Sequence, residues 1–190
     1  MIELNKLKDF TPPSNWTKIQ TIEAHTGGEP LRVILSGYPN LKGDSILSKR
    51  DEIAQNYDFL RTALMWEPRG HKDMYGALIV EPDKASSDVG VIFMHNNGYS
   101  TGCGHAIIAL TKIFIDYNLI PIKDPITEVV MDVPSGTINA FAKIKDKQID
   151  KIFFNNVPSF VQELDSAIDV PGFGQIKYDL AYGGAFYAVI

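Results

Sequence analysis

The chain has a single cysteine among its 190 residues, and this scarcity limits the chemistry open to it. One cysteine cannot form an internal disulfide, and it cannot supply the several thiolates of a structural zinc site. The sequence also lacks a cluster of Lys and Arg, and its net charge is −5 at pH 7. A negatively charged protein without a basic stripe is poorly suited to bind a phosphate backbone. We therefore expect no disulfide, no metal site and no nucleic-acid partner.

Long apolar runs are absent as well. No stretch approaches the roughly 20 apolar residues that a membrane-spanning helix needs. The segment from Met1 to Phe10 is charged rather than apolar, which is unlike a secretory signal. Hydrophobic residues make up 45% of the chain and charged residues 22%, which is typical of a globular protein. We expect a soluble, cytoplasmic protein that does not bind a membrane.

Most of the sequence has the pattern of short β-strands separated by Gly, Pro and polar turns. The predicted strands are residues 18–23, 31–35, 76–81, 89–95, 127–133, 137–144, 151–157, 175–180 and 185–190. Two segments have the apolar spacing of helices instead. One covers residues 48–65, with Ser48 as its N-cap, and the other covers residues 104–118. The second is apolar over most of its surface, so we expect an α+β fold in which a bent or barrel-like sheet wraps around this central helix.

The densest group of residues that can take part in chemistry lies at 96–106, between a predicted strand and the central helix. Its sequence is Asn-Asn-Gly-Tyr-Ser-Thr-Gly-Cys-Gly-His-Ala. Backbone N–H groups at a helix start have no partner within the helix and can bind a carboxylate. They also stabilise a thiolate, so we expect a lowered pKa for Cys103. Gly102 and Gly104 allow the backbone to approach a ligand closely. A substrate with a carboxylate beside an acidic C–H would suit this site.

These residues also have purely structural explanations. A lone cysteine is commonly a small buried hydrophobic residue. His105 could simply bond to a neighbouring carbonyl, and the Asn and Ser residues before it are common in turns. The flanking glycines, the adjacent histidine and the position at a helix start favour a functional thiol over these alternatives.

Four separated motifs resemble those of the proline racemase family. They are HTGGEP at residues 25–30, EPRGHKDMYGA at 67–77, GYSTGCGHA at 98–106 and AYGGAFYA at 181–188. The family includes proline racemase, 4-hydroxyproline 2-epimerase and trans-3-hydroxy-L-proline dehydratase. The resemblance covers nearly the whole chain. It implies a lobe like those of diaminopimelate epimerase, in which a mostly antiparallel sheet surrounds a central helix.

The resemblance also implies roles for individual residues. Cys103 matches the acid/base that acts at the α-carbon from the first lobe, and Gly104 and His105 match residues that contact the substrate. Tyr75 takes the place of an aromatic residue that packs over the substrate ring. The implied substrate is a small molecule, proline or hydroxyproline, and neither a cofactor nor a metal is implied. A homodimer is left open.

The chain departs from the family pattern in one respect. The second-lobe motif, an Asp followed by a Pro-Cys-Gly or Pro-Thr-Gly type of sequence, is not found. We therefore expect residues 1–190 to be the first lobe of a two-lobe enzyme, without its second lobe and inactive alone. The residues at 74–77, 104–110, 169–172 and 181–188 resemble those of the dehydratases more than those of the racemases.

We accordingly expect dehydration of trans-3-hydroxy-L-proline to Δ1-pyrroline-2-carboxylate, with proline racemase or 4-hydroxyproline 2-epimerase as the alternative. Two readings from other classes are a non-catalytic carboxylate-binding lobe and a cysteine hydrolase. The hydrolase is disfavoured because residues two apart at a helix start, such as Cys103 and His105, should point in different directions. No motif with an orienting Asn or Asp is recognisable either.

Overall fold

The computed structural model of the protein describes residues 3, 5 and 10–190, so the segment in which we predicted no secretory signal lies largely outside the described residues. The helices are α1 (Ile46–Asn56), α2 (Asp58–Met65) and α3 (Gly104–Asp116). The strands are β1 (Gln20–Thr26), β2 (Glu29–Ser36), β3 (Tyr75–Val80), β4 (Val89–His95), β5 (Gly98–Ser100), β6 (Ile126–Val133), β7 (Gly136–Lys145), β8 (Gln148–Asn155), β9 (Phe160–Val170), β10 (Gly174–Tyr182) and β11 (Phe186–Val189).

The large sheet runs in the order β1-β2-β3-β4-β6-β7-β8, with the short β5 paired to β4. Neighbouring strands are antiparallel except for the β2–β3 and β4–β6 pairs. Helix α3 contacts β1 and β2 near one edge and β7 and β8 at the other, so the sheet curls around it. The α+β class, the mostly antiparallel sheet and the central helix are confirmed. The sheet is open, however, because β1 and β8 do not pair and no closed barrel forms.

Alternation along the inner strands divides the buried residues between the two faces of the sheet. Val33, Ala77 and Phe93 face α3, whereas the next residues along each strand, including Ile34 and Leu78, face α1 and α2. Successive side chains of a strand point to opposite faces, so a strand covered on both sides needs an unbroken apolar run. This accounts for β4, in which six consecutive residues are buried.

The helix expected at residues 48–65 is in fact two helices. Helix α1 starts earlier, at a capping box in which Ser45 and Ser48 each bond the other's backbone N–H, so Ser45 and not Ser48 is the N-cap. Tyr57 separates α1 from α2 because its backbone, with φ −133° and ψ 16°, leaves the helical region. The apolar spacing of the sequence continues through this break, because Tyr57 still packs against the core beneath both helices.

Strands β9, β10 and β11 form a separate three-stranded antiparallel sheet. We did not predict β9, because its sequence lacks the alternation of apolar and polar residues that marks a half-buried strand. Nearly all of its residues are exposed. The small sheet carries several exposed apolar side chains, namely Phe160, Leu164, Ile168, Phe186 and Val189. Among the described residues, no helix has the length and apolar character needed to cross a bilayer.

Two close contacts tie α2 to the sheet. Met65 of α2 and Met94 of β4, both fully buried, press against Gly76 of β3, where an added Cβ would lie 2.8 Å from the Met65 Cε and 2.9 Å from the Met94 Cγ. Arg61 is also buried, and its guanidinium binds both carboxylate oxygens of Asp58, at 2.7 and 2.8 Å. The same group donates to the carbonyls of His95 and Asn96, at 2.9 and 2.6 Å. Arg61 therefore holds the β4–β5 hairpin against α2.

Replacing Arg61 by Met should lower the free energy of unfolding of this chain by about 1.5–3 kcal/mol, because charge-assisted hydrogen bonds to two backbone carbonyls and a carboxylate are lost. The ion pair with Arg61 holds the pKa of Asp58 below its usual range. A lowered pKa contributes stability at pH values above that of the unfolded carboxyl, and this contribution is lost as the pH falls through the folded-state pKa. The difference between the variant and the wild type should therefore shrink in acid.

Urea unfolding at several pH values measures both effects. Arg50→Met is the matched control, because Arg50 pairs with exposed Asp51 at the surface and such pairs contribute at most about 1 kcal/mol. Equal effects of the two substitutions would contradict the role given to Arg61.

Candidate active site

Cys103 is the N-cap residue of α3, with extended backbone dihedrals, φ −155° and ψ 106°. Its carbonyl accepts the N–H of Ile107 at 3.1 Å, which closes the first turn of the helix. The side chain is half-buried. Gly104, the next residue, faces Phe154 of β8 so closely that an added Cβ would lie 3.2 Å from the ring. A glycine at this position lets the helix start lie against the sheet and leaves the thiol beside the first backbone N–H groups.

Burial raises the pKa of the Cys103 thiol to about 11, so the lowered pKa expected from the sequence is wrong for this lobe. The backbone N–H groups of Ala106 and His105 and the hydroxyl of Tyr75 do lower the pKa, as the helix-start argument requires. None of these contacts makes a full side-chain capping hydrogen bond. Their effect is therefore smaller than the cost of removing a thiolate from water. Glu29 raises the pKa further.

His105 lies against the thiol, contrary to the expectation that the two side chains diverge. Its Nδ1 is 3.3 Å from the Cys103 Sγ, and its Nε2 is 3.3 Å from the carbonyl oxygen of Pro30. A carbonyl can only accept a hydrogen bond, so Nε2 carries the hydrogen when it bonds to Pro30. In a neutral ring Nδ1 is then unprotonated. The Cys103 sulfur is 3.7 Å from Nε2 as well, so it lies beside the ring rather than in line with the Nδ1 lone pair.

The β1–β2 hairpin holds the start of α3 in place. Thr26 donates from its hydroxyl to the carbonyl of His105 at 2.8 Å, and the carbonyl of Pro30 meets the His105 ring. Gly27 and Gly28 form the turn with φ of 61° and 102°, a conformation that glycine adopts without a steric penalty. His25 accepts the N–H of Gly28 at Nδ1, 3.3 Å away, so this contact stabilises the turn. The HTGGEP segment thus packs directly against the candidate site.

Tyr75 is the first residue of β3, and its ring meets the His105 ring edge-on with 5.0 Å between the centroids. Its hydroxyl hydrogen-bonds to the hydroxyl of Ser100 at the end of β5. Burial, and secondarily the nearby Cys103 thiol, raise the pKa of the Tyr75 phenol above its usual range, while Ser100 lowers it. Three of the residues singled out from the sequence, Tyr75, Cys103 and His105, therefore lie together.

A cavity of ≈ 170 Å³ lies beside the thiol. Its walls include Gly102, Cys103 and Gly104 on one side and the paired glycines Gly183 and Gly184 on the other. Ser135 also lines it, and its buried hydroxyl has no hydrogen-bond partner among the described residues. Ser135 was not singled out from the sequence, because nothing in the local pattern shows that the turn between β6 and β7 lies beside the cysteine.

Arg61 and His71 make structural contacts near the candidate site. Arg61 was not singled out from the sequence, and it contacts the hairpin that leads to Cys103 rather than the cavity. His71, within the 67–77 motif, bonds the carbonyl of Lys72 at 2.6 Å in the loop before β3. Over the part of the chain that the structure describes, no three His, Cys, Asp or Glu side chains come together as metal ligands would.

The fold and the site together define an α+β lobe in which a cysteine begins the central helix and faces a small cavity. The chain belongs to the proline racemase family, whose model, described as Proline racemase, matches residues 21–190.

Three relatives illustrate the range of activities in this family. A trans-3-hydroxy-L-proline dehydratase of Colwellia psychrerythraea is 49% identical over 93% of this chain and 50% of its own length. A proline racemase of Clostridioides difficile is 40% identical over 90% of this chain and 51% of its own length. The crystal structure of a hydroxyproline epimerase from Agrobacterium vitis, with bound trans-4-hydroxy-L-proline, superimposes with a TM-score of 0.77 at 30% identity, covering 90% of this chain and 50% of that one. The chain thus spans about half the length of the relatives it matches.

The raised pKa of Cys103 predicts slow alkylation at neutral pH. The rate of reaction with iodoacetamide should keep rising with pH to an inflection near the folded-state pKa of about 11, because only the thiolate is nucleophilic. Alkylation is followed by mass spectrometry, and a short peptide with one cysteine serves as the reference. An inflection below that of the peptide would contradict the dominance of burial.

Proposed function

We propose that this chain is the first lobe of a two-lobe enzyme that dehydrates trans-3-hydroxy-L-proline to Δ1-pyrroline-2-carboxylate, with Cys103 removing the α-proton. The observation that carries the proposal is the Cys103 thiol at the start of α3, in the wall of a cavity and beside backbone N–H groups. The higher identity to a dehydratase, 49%, than to a proline racemase, 40%, supports this reaction over racemisation of proline. A 3-hydroxyproline 2-epimerase of Burkholderia multivorans at 46% keeps epimerisation as the alternative.

The start of α3 suits the carboxylate of an amino acid. The N–H groups of the first helical residues, Gly104 and His105, have no acceptor within the helix, and the helix dipole adds a partial positive charge. We place the substrate carboxylate at these two groups. The hydroxyl of Ser135, which lacks a partner among the described residues, offers a further donor from across the cavity. Donors fixed in this way stabilise negative charge as it develops when the α-proton leaves.

The thiol needs an acceptor for its own proton before it can act as a base. With a pKa of about 11, Cys103 is protonated at neutral pH in this lobe. His105 offers that acceptor, because its Nδ1 lies 3.3 Å from the sulfur while its Nε2 meets the carbonyl of Pro30. The sulfur is also 3.7 Å from Nε2, so proton transfer requires the ring or the thiol to reorient until the Nδ1 lone pair points at the thiol. A base that directs a nearby thiol in this way is a general means of producing a reactive thiolate. His105 therefore has two roles in the proposal, through its backbone N–H and through its ring.

A proton on a carbon beside a carboxylate is only weakly acidic, so the reaction requires a site that excludes water and surrounds the charge with donors. We propose that a second lobe supplies the remaining wall, in keeping with relatives that are about twice as long as this chain. The lobe alone should then be inactive. It could still bind a carboxylate, which is the function left to it if the complete protein has no turnover.

The test is to supply trans-3-hydroxy-L-proline to the complete gene product and follow the reaction by proton NMR. We expect loss of the 3-hydroxyl and formation of Δ1-pyrroline-2-carboxylate. Removing the acid/base group in Cys103→Ala should reduce kcat by about 10²–10⁴-fold. Lys112→Ala is the matched control, because Lys112 lies on the exposed face of the same helix and pairs with Asp116 at the surface.

Inversion at the α-carbon of proline or 4-hydroxyproline, without loss of water, would instead assign the protein to the racemases or epimerases. Binding without either reaction would leave a carboxylate-binding lobe. Full activity of Cys103→Ala would remove the thiol from the mechanism whichever reaction is found.

A further inference from the structure

We propose that Tyr75 is the general acid of this reaction, and that its phenolic hydroxyl protonates the 3-hydroxyl of the substrate as it leaves. The inference rests on the dehydration proposed above and adds a second catalytic residue to it. Hydroxide is a poor leaving group, and a positioned acid that turns it into water as the C–O bond breaks typically accelerates such a step by about 10²–10⁴-fold. The site must therefore hold a proton donor as well as a base.

The stereochemistry of the substrate determines where that donor has to be. In trans-3-hydroxy-L-proline the hydroxyl and the carboxylate are on opposite faces of the ring. The hydroxyl is therefore on the same face as the α-hydrogen, and the two groups are attached to neighbouring carbons. A base that removes the α-hydrogen and an acid that protonates the hydroxyl must consequently approach from one side and lie close together. Both can then come from a single lobe.

Tyr75 meets the requirement of closeness to the thiol. With His105 it lines a second cavity rather than the one that Cys103 lines, so in this proposal the substrate extends over the thiol between the two. The ring of Tyr75 packs against His105, whose Nδ1 is 3.3 Å from the Cys103 sulfur. Its hydroxyl bonds to Ser100, three residues before Cys103. The phenol and the thiol also interact directly: the Tyr75 hydroxyl lowers the pKa of Cys103, and Cys103 raises the pKa of Tyr75. The two proton carriers are therefore neighbours before any substrate is bound.

Ser100 prepares Tyr75 for this role. Either hydroxyl of the pair can be the donor, and the single hydrogen of Ser100 has a second acceptor in the carbonyl of Gly102, 3.4 Å away. When Ser100 donates to the phenolic oxygen instead, the phenolic proton can point at the thiolate or at a ligand, and the phenolate left after its transfer keeps a hydrogen bond. Consistent with this, the hydrogen bond from Ser100 lowers the pKa of Tyr75, while burial raises it and keeps the phenol protonated at neutral pH. A phenylalanine would fill the same space without a proton to give.

The proposed step is balanced in protons and electrons. The Cα–H bond breaks, its proton goes to the Cys103 thiolate, and its electron pair forms the double bond between Cα and C3. The C3–O bond breaks as the oxygen takes the proton of Tyr75, so water and an enamine are formed. The Cys103 thiol then passes its proton to the Tyr75 phenolate, which restores both residues. The enamine becomes Δ1-pyrroline-2-carboxylate by moving one proton from nitrogen to C3.

A pair of substrates separates this role from a structural one. In the complete protein, Tyr75→Phe should slow dehydration of trans-3-hydroxy-L-proline by about 10²-fold or more. It should leave the release of chloride from trans-3-chloro-L-proline close to the wild-type rate, because chloride leaves without a proton. In D₂O the variant should also return 3-hydroxyproline labelled at Cα, since proton removal continues after elimination has slowed. Ser100→Ala should show the same pattern in weaker form.

Tyr99→Phe is the matched control, because the Tyr99 hydroxyl donates to Asp58 at 3.0 Å, away from the thiol, and the variant should keep both activities. Equal losses on the two substrates would overturn the proposal and make Tyr75 a residue of binding or folding. Unchanged dehydration by Tyr75→Phe would overturn it as well, while leaving the proposed reaction intact. A wild-type protein that does not dehydrate 3-hydroxyproline would refute the proposed function itself, and the acid role with it.

Discussion

The packing of α3 inside the curled sheet is the interaction on which the rest of the site depends. The helix is held by strands from both edges of the sheet, and its buried residues, among them Ala106, Leu110 and Phe114, leave it little freedom to shift. Burial of that much apolar surface is the main source of stability in a lobe of this size. Because the helix cannot shift, its first turn keeps a constant position relative to β1, β2 and β3. Cys103, Pro30 and Tyr75, which are distant in sequence, meet at that turn.

The extent to which the sequence predicted this arrangement follows from the range of the interactions involved. Strand β4 and helix α3 were predicted with nearly their observed bounds, because burial gives each an unambiguous apolar pattern. Strand β9 was missed since it has no buried face, and the break at Tyr57 was missed since the apolar spacing continues through it. The apolar pattern of a segment indicates which of its residues are buried. It therefore gives little information about a strand, such as β9, that stays exposed.

The candidate site shows the same limit. Motifs predicted that Cys103, His105 and Tyr75 matter, and the three side chains do lie together. The pKa of the thiol was predicted in the wrong direction, because the sequence indicates the helix start but not the depth of burial, and burial has the larger effect here. Arg61 and Ser135 were not recognised, since their roles depend on carbonyls and cavity walls contributed by distant segments.

The close packing around Gly76 bears on how this site could change over evolution. Two methionines leave no room for a side chain there, and Tyr75 is the preceding residue of the same strand. A side chain at position 76 would require both methionines to move, and the Met94 Cγ, close to the backbone, has less freedom to do so than the end of Met65. Phenylalanine at position 75, by contrast, occupies nearly the same volume as tyrosine. Adjacent positions of one strand thus differ in kind: one can change its chemistry without repacking, and the other cannot change without it.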